Sequence, residues 1–212
     1  MFRKPVFPIS VICMGMFVAT LAFAQDFHRN NITVGIGPAI PTGNATTYLG
    51  TAPLVSLGYG YRFNRFFQAD TGFQIAFGAA NNQNAVQTDV GPVQGGDHEF
   101  MIPFGGRFIF PITLKRFEAS AGGGAMYLHY SETAPSNGYY SPSCYTCTSR
   151  GGWGGYGLAN LSYFLDENHD FRVGTTLQYV SASTNGQAVG NIPPIATTDH
   201  WLTLSFGFGL SF

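Results

Sequence analysis

Large apolar residues alternate with small or hydroxylated ones along segment 202–212, which ends on a phenylalanine. A period of two residues is the pattern of a β-strand with one apolar face and one polar face. Seven other segments alternate in the same way, two of them less sharply because glycine interrupts the contrast. The sequence therefore predicts eight strands, at 32–40, 55–63, 67–77, 100–110, 116–130, 152–165, 171–179 and 202–212.

The connections between these strands alternate strictly between long and short. In an antiparallel sheet, this alternation places every long loop at one end and every tight turn at the other. Outer-membrane barrels have this anatomy, with turns in the periplasm and long loops outside the cell. The long connections are 41–53, 79–97, 131–150 and 183–198, and the short ones are 64–65, 111–115 and 166–170.

The composition of the two faces indicates which one points outward. A soluble eight-stranded barrel such as a lipocalin also alternates, with its apolar side inward. Each strand has two sets of alternate positions, which we call the apolar parity and the polar parity. The apolar parity here is rich in Phe and Tyr, whose rings would overfill so narrow an interior. Charged residues make up 10% of the chain, against about 25% in soluble domains. We therefore expect an all-β fold, a closed eight-stranded antiparallel transmembrane up-and-down barrel with its apolar face in lipid. Pro103 within the fourth strand predicts a bulge or irregularity there.

Residues 1–24 have the features of a cleaved signal peptide. Arg3 and Lys4 precede a mostly apolar run that ends in Ala-Phe-Ala, a pattern that signal peptidase accepts. Cleavage after Ala24 leaves residues 25–212 as one exported barrel domain. We expect it in a bacterial outer membrane, with both mature termini in the periplasm. The net charge of -1 gives no basic patch for nucleic acid.

Cys144 and Cys147 are the cysteines that remain after the signal peptide. In an oxidising compartment, such a close pair predicts a small local disulfide. Half of a zinc site or a redox motif has the same spacing. The sequence has no second cysteine pair that would complete a zinc site. It also has no helical pattern around Cys144 and Cys147, which a redox motif would need.

The inward parity of the predicted strands carries few charged residues. Arg62, Asp70, Arg107, Glu118 and Arg172 all lie near the turn end, and hairpin pairing predicts Arg107 beside Glu118. Charges in a narrow lumen of low dielectric constant must be paired and hydrogen-bonded. We expect a salt-bridge plug that closes the barrel. The alternative, an ion pathway or a proton relay, needs a water column that eight strands do not leave.

Aromatic residues near both strand ends predict two girdles at the membrane interfaces. At the loop end these are Tyr127, Tyr130, Trp153, Tyr179 and Trp201; at the turn end they are Phe63, Phe67, Phe110, Phe117, Tyr163, Phe171 and Phe212. Three histidines, at 98, 129 and 200, also lie near the loop end. A metal site is conceivable there, but hydrogen-bonded interface residues are the favoured interpretation, so no metal or cofactor is expected.

Together these patterns resemble the OmpA-type eight-stranded outer-membrane barrels over essentially the whole mature chain. The resemblance implies that Leu210 and Phe212 belong to a C-terminal signal that barrel-assembly machinery recognises. It also implies outer-membrane lipid and lipopolysaccharide as surroundings. The peptidoglycan-binding domain that some members carry after the barrel is not expected here.

The sequence "LHYSET" offers a catalytic alternative. It resembles the His-x-Ser motif of the outer-membrane lipid A deacylases, in which His129 would be the general base and Ser131 the nucleophile. That family continues with Asn where this chain has Glu132, and carries the motif on the next-to-last strand. We expect a non-enzymatic protein instead, structural or adhesive, with loops 79–97, 131–150 and 183–198 as candidate ligand surfaces. A small pore is a further alternative.

Overall fold

The computed structural model describes residues 28–47, 49–79, 86–88, 91–93, 96–110, 112, 116–133, 149–186 and 196–212. The predicted signal peptide and the predicted disulfide between Cys144 and Cys147 lie outside these residues.

The strands close into one antiparallel barrel in which chain neighbours pair and β1 pairs with β10. This confirms the predicted fold of eight strands joined up and down. Among the described residues, no helix is long and apolar enough to cross a membrane. In chain order the elements are β1 (Asn30–Thr42), a short 3-10 helix (Gly43–Thr47), β2 (Ala52–Arg62), β3 (Phe67–Phe77), β4 (Val86–Thr88), β5 (Gly91–Val93), β6 (Gly96–Phe110), β7 (Phe117–Thr133), β8 (Ser149–Phe164), β9 (Phe171–Gly186) and β10 (Ala196–Ser211). Eight of these ten strands form the barrel, and β4 and β5 form a separate small hairpin.

The ladder between β1 and β10 closes the barrel, and two backbone bonds extend it at the turn end. The backbone N–H of Asn30 donates to the carbonyl of Phe212 at 2.9 Å, and the N–H of Phe212 donates to the carbonyl of Asn30 at 3.0 Å. Backbone groups at a seam in lipid have no water to bond, so these bonds leave no open edge there.

The large apolar parity points outward along the middle and turn end of the strands. Ile36, Phe63, Leu57 and Phe206 are more than half exposed. The predicted orientation of the faces is confirmed over this part of the barrel, and the exposed band is suited to contact with lipid.

Pro103 does not cause a bulge. The pairs Thr71–Phe104 and Gln74–Met101 on either side of it keep one register between β3 and β6, and pairing with β7 is continuous. Pairing with β3 stops only between those two pairs, because proline has no N–H to donate. The predicted irregularity is therefore a local gap in the ladder, and the predicted bulge is wrong.

The strands extend further toward the loop end than the alternation predicts. The predicted loop 131–150 begins within β7 and ends within β8, and the predicted loop 183–198 begins within β9 and ends within β10. The predicted loop 79–97 contains the β4–β5 hairpin.

Candidate functional site

Five charged side chains cross the lumen at the turn end; we call them the ionic network. Glu118 accepts hydrogen bonds from Arg62 and from Arg172, the latter at 3.2 Å between Nη1 and Oε1. Nε of Arg107 donates to Oδ2 of Asp70 at 2.6 Å. All five residues of the predicted plug thus lie in ion pairs, each carboxylate bonded to at least one guanidinium.

The predicted neighbour pair of Arg107 and Glu118 is wrong. Arg107 lies opposite Gly122 on β7, four residues further along β7 than Glu118. Its carboxylate partner instead comes from β3 on its other side. Glu118 lies nearer the turn, where side chains from β2 and β9 reach it across the narrow lumen.

Neutral amides that the sequence analysis missed join the ion pairs together. Gln68 donates from Nε2 to Asp70 at 2.6 Å, and its Oε1 accepts from Arg62 and Asn31, each at 3.2 Å. Asn31 in turn accepts from the hydroxyl of Ser211 at 2.8 Å. Together with Gln68, Asn31 and Ser211, the ionic network therefore connects every barrel strand except β8. Both amides lie on the inward parity, which is the signal that could have identified them.

An apolar layer fills the lumen nearer the loop end. It consists of Leu54, Met101, Met126, Leu128 and Trp201, each at most 1% exposed. The sequence predicted small polar residues on the whole inward face, which is wrong at this level.

Trp201 and Tyr130 do not belong to the loop-end girdle, contrary to prediction. Trp201 is fully buried and shares the inward parity of Thr203. Tyr130 is 4% exposed, and the guanidinium of Arg150 lies 4.3 Å from the centre of its ring. Both rings line the lumen, so their aromatic character led to the wrong face being assigned.

The apolar parity inverts near the loop end. On β7 the outward residues change from Tyr127 to His129 and Ser131, while Leu128 and Tyr130 are buried inside. Strand β9 changes in the same way: Leu177 and Tyr179 point outward, followed by Ser181 and Ser183, while Val180 and Ala182 are buried inside. Beyond the girdle, the wall therefore has the pattern of a soluble barrel, polar outside and apolar inside.

A second group of charges caps the apolar layer. Arg150 pairs with Asp199 at 3.2 Å, and the Thr184 hydroxyl donates to the same carboxylate at 3.0 Å. Glu99 is fully buried nearby, with Trp201 beside it. These residues were not predicted from the sequence, although all of the charged ones lie on the inward parity.

The other predicted girdle residues face outward at both ends. At the loop end, the rings of Tyr127 and Trp153 lie 5.2 Å apart. At the turn end, Phe117 and Tyr163 lie 5.0 Å apart, and Phe63 is 64% exposed.

His129 and Ser131 both lie on the outward face of β7, just beyond Tyr127. Ser131 is opposite His98 on β6 and Ser149 on β8. The hydrogen bonds of the described residues include none between His129 and Ser131. In the described part of the chain, no group of three His, Cys, Asp or Glu side chains could hold a metal ion.

At the loop-end mouth, the 3-10 helix borders a cavity of about 450 Å³. Asn44 and Leu49 line one side of it, and Thr197, Asp199 and Arg150 line the other. The mouth thus offers a recess with amide, hydroxyl and apolar walls and one paired cation.

Solved structures of small outer-membrane proteins have the same fold. Ail, the attachment invasion locus protein of Yersinia pestis, matches with a TM-score of 0.52 and 13% identity over 88% of this chain and 100% of its own. Neisserial surface protein A matches with a TM-score of 0.55 and 12% identity over 86% and 97%. OprG from Pseudomonas aeruginosa matches with a TM-score of 0.52 and 14% identity over 89% and 98%. The sequence matches no protein-family model and no curated protein. The predicted resemblance to eight-stranded outer-membrane barrels is confirmed at the level of the fold.

Proposed function

From the fold of a small outer-membrane β-barrel, we propose that this protein resides in a bacterial outer membrane and acts through its loop end. Its lumen is closed, and its role is structural or adhesive, without catalysis. Export by signal peptide 1–24, periplasmic termini and assembly through Leu210 and Phe212 belong to the same proposal. So do lipid, lipopolysaccharide and the barrel-assembly machinery as partners.

The observation that carries the proposal is the apolar layer. Bulky side chains such as Met101, Met126 and Trp201 occupy the lumen and are completely buried. An eight-stranded interior is only just wide enough to hold such side chains, so they leave no room for a continuous water column. The ionic network closes the turn end independently. A small pore is therefore the weaker hypothesis.

The part of the barrel beyond Tyr127, which we call the projecting wall, supports a role at the cell surface. β7 continues for six residues beyond Tyr127, as far as Thr133, about 20 Å along the strand at roughly 3.3 Å per residue. At a tilt of about 45°, this is roughly 14 Å of height. Its described outward residues, His129 and Ser131, are polar, so this part of β7 is suited to water above the lipid.

The charge of the loop end indicates the class of partner. Of the ten Lys and Arg residues, only Arg150 belongs to the four long connections, and it is paired with Asp199. One structure of Ail holds the heparin analogue sucrose octasulfate. The single cation in the long connections of this chain is already paired, which favours a neutral or basic partner surface over a polyanion.

Adhesion of cells that display the protein tests this proposal. Deleting residues 135–149 is expected to abolish binding to cultured epithelial cells, while the barrel still shows a heat-modifiable shift on a detergent gel. Cells with the intact protein should not adhere to heparin-coated plates. Unchanged adhesion of a correctly assembled deletion variant would contradict a role for these loops.

Planar-bilayer recordings test the closed lumen separately. We expect no single-channel steps from the intact protein. Regular steps whose selectivity changes with Arg107→Gln would contradict the proposal and favour the small pore.

The outward positions of His129 and Ser131 at the lipid boundary favour one other candidate, a lipid A deacylase. That activity predicts faster-migrating lipid A from expressing cells, abolished by Ser131→Ala and by His129→Ala. Identical lipid A with and without the protein would exclude this alternative.

A further inference from the structure

The ionic network carries a net positive charge, because two of its guanidinium groups share one carboxylate. It contains three guanidinium groups and two carboxylates, a sum of +1. The charged groups that act on Arg172 are Glu118, Arg62, Arg107 and Asp70, all of them members of the network. Glu99, the next charge along β6, is eight residues from Arg107, about 26 Å along the strand. It lies beyond the apolar layer and is too far away to neutralise the surplus.

Acidic side chains on the nearby turns already have other partners. Asp166 accepts from the backbone N–H groups of Asp170 and Phe171. Asp170 pairs with His28, and Glu167 lies 3.6 Å from Arg116. Among the described residues, no carboxylate other than Glu118 and Asp70 lies in an ion pair with a guanidinium group of the network. A buried charge without a counter-charge is costly in a medium of low dielectric constant.

Two of the three arginines of the network line one polar cavity. This chamber has a volume of about 60 Å³, and Arg107 and Arg172 line it together with Ser56, Thr176 and Ser205. By the same measure, one water needs about 10–15 Å³, so the chamber holds roughly four to six waters or an ion with fewer. It lies between the ionic network and the apolar layer.

The side chains around the chamber have hydrogen-bond donors to spare. A guanidinium has five N–H donors, and among the described residues Arg172 uses one, to Glu118. Arg172 is only 5% exposed, so bulk water cannot satisfy the rest. The Thr176 hydroxyl accepts from Asn160 at 2.9 Å, which leaves its own O–H free to donate. Donors and positive charge thus converge on one small space.

We infer that this chamber binds a monovalent anion of about the size of chloride. One negative charge neutralises the network, whereas a divalent oxyanion would reverse the sign of the surplus and is larger than the space favours. The anion is then a structural part of the closed lumen. This inference concerns the turn-end half of the lumen and does not depend on what the loop end binds.

The test compares unfolding of the refolded, purified protein in chloride and in gluconate at constant ionic strength. Gluconate is too large for the chamber. Above the dissociation constant, each tenfold rise in chloride should lower the unfolding equilibrium constant tenfold, because the anion binds the folded state alone. Arg172→Met makes the network neutral and should abolish the chloride effect. Glu118→Gln raises the surplus to +2 and should retain or strengthen it. Arg116→Gln, on the outer turn, is the matched control and should respond like the intact protein.

Crystals of the intact protein grown in bromide give a second measurement that needs no variant to fold. An anomalous peak in the chamber, within hydrogen-bond distance of Arg107 and Arg172, is the expected result. Equal stability in the two salts, with only water density in the chamber, would overturn the inference.

Discussion

Removing the charge of Glu118 tests whether the ionic network stabilises the barrel. Glu118 is 8% exposed, and its two oxygens hold the guanidinium groups of Arg62 and Arg172. Glu118→Gln keeps the shape of the side chain but leaves both cations without their shared anion. The amide oxygen can still accept one hydrogen bond, so the loss is mainly one of charge neutralisation.

The expected cost follows from what a buried ion pair loses with one partner. Breaking such a pair destabilises a protein by about 3–5 kcal/mol. The remaining amide oxygen places Glu118→Gln at the lower end, about 3 kcal/mol, or roughly a hundredfold in the unfolding equilibrium constant.

Urea titration of the refolded barrel, under conditions where unfolding and refolding curves coincide, measures this difference. Asp170→Asn is the matched control: its pair with His28 spans 3.0 Å between side chains that are each 35% exposed. An exposed pair contributes only about 0–1 kcal/mol. Adding Arg172→Met to Glu118→Gln should restore part of the stability, because it removes one of the two guanidinium groups that lost their carboxylate partner. Equal losses for Glu118→Gln and Asp170→Asn would refute the central place given to Glu118.

Three further predictions concern other parts of the barrel. Met126→Ala opens a cavity in the apolar layer and should cost about 2–5 kcal/mol in a urea titration; a loss below about 1 kcal/mol would mean that the layer is loosely packed. Brominated lipid should quench Trp153, which is 60% exposed, and spare Trp201, which is fully buried; quenching that survives Trp153→Phe would place Trp201 in lipid. Desolvation alone raises the pKa of Asp166, but hydrogen bonds from backbone N–H groups, foremost that of Phe171, outweigh it and lower the pKa. Its contribution to stability is therefore present above its unfolded-state pKa and lost as the pH falls through the lowered value, so Asp166→Asn should flatten the acid side of a pH–stability profile between about pH 5 and pH 2.

The sequence predicted the strands and their outward face wherever lipid constrains both. Lipid favours apolar side chains at outward positions, so segments such as 171–179 and 202–212 alternate visibly. Beyond Tyr127, outward positions meet water and accept Ser or His, and the contrast between the two parities disappears. The extensions of β7 and β9 were missed for this reason. The β4–β5 hairpin was missed because three-residue strands are too short to show a period.

The side-chain chemistry of the lumen was predictable in kind and less so in detail. Parity placed Arg107 and Glu118 inside, but their partners depend on which side chains reach across the lumen. The sequence pattern contains no such distances. Gln68 shows the same limit, since a neutral amide on the inward parity gives no sign that it joins two ion pairs.

The inversion of the apolar parity explains why Trp201 and Tyr130 lie inside. Where the wall is surrounded by lipid, the outward apolar residues are stable because lipid accepts them, and the lumen can be polar. Where the wall leaves the membrane, water surrounds it, and only burial inside the lumen can remove apolar surface from water. The loop-end wall therefore needs a core of its own, which Leu128, Val180 and Trp201 supply. The same side chains occupy the lumen at this level, where Leu128, Val180 and Trp201 are completely buried.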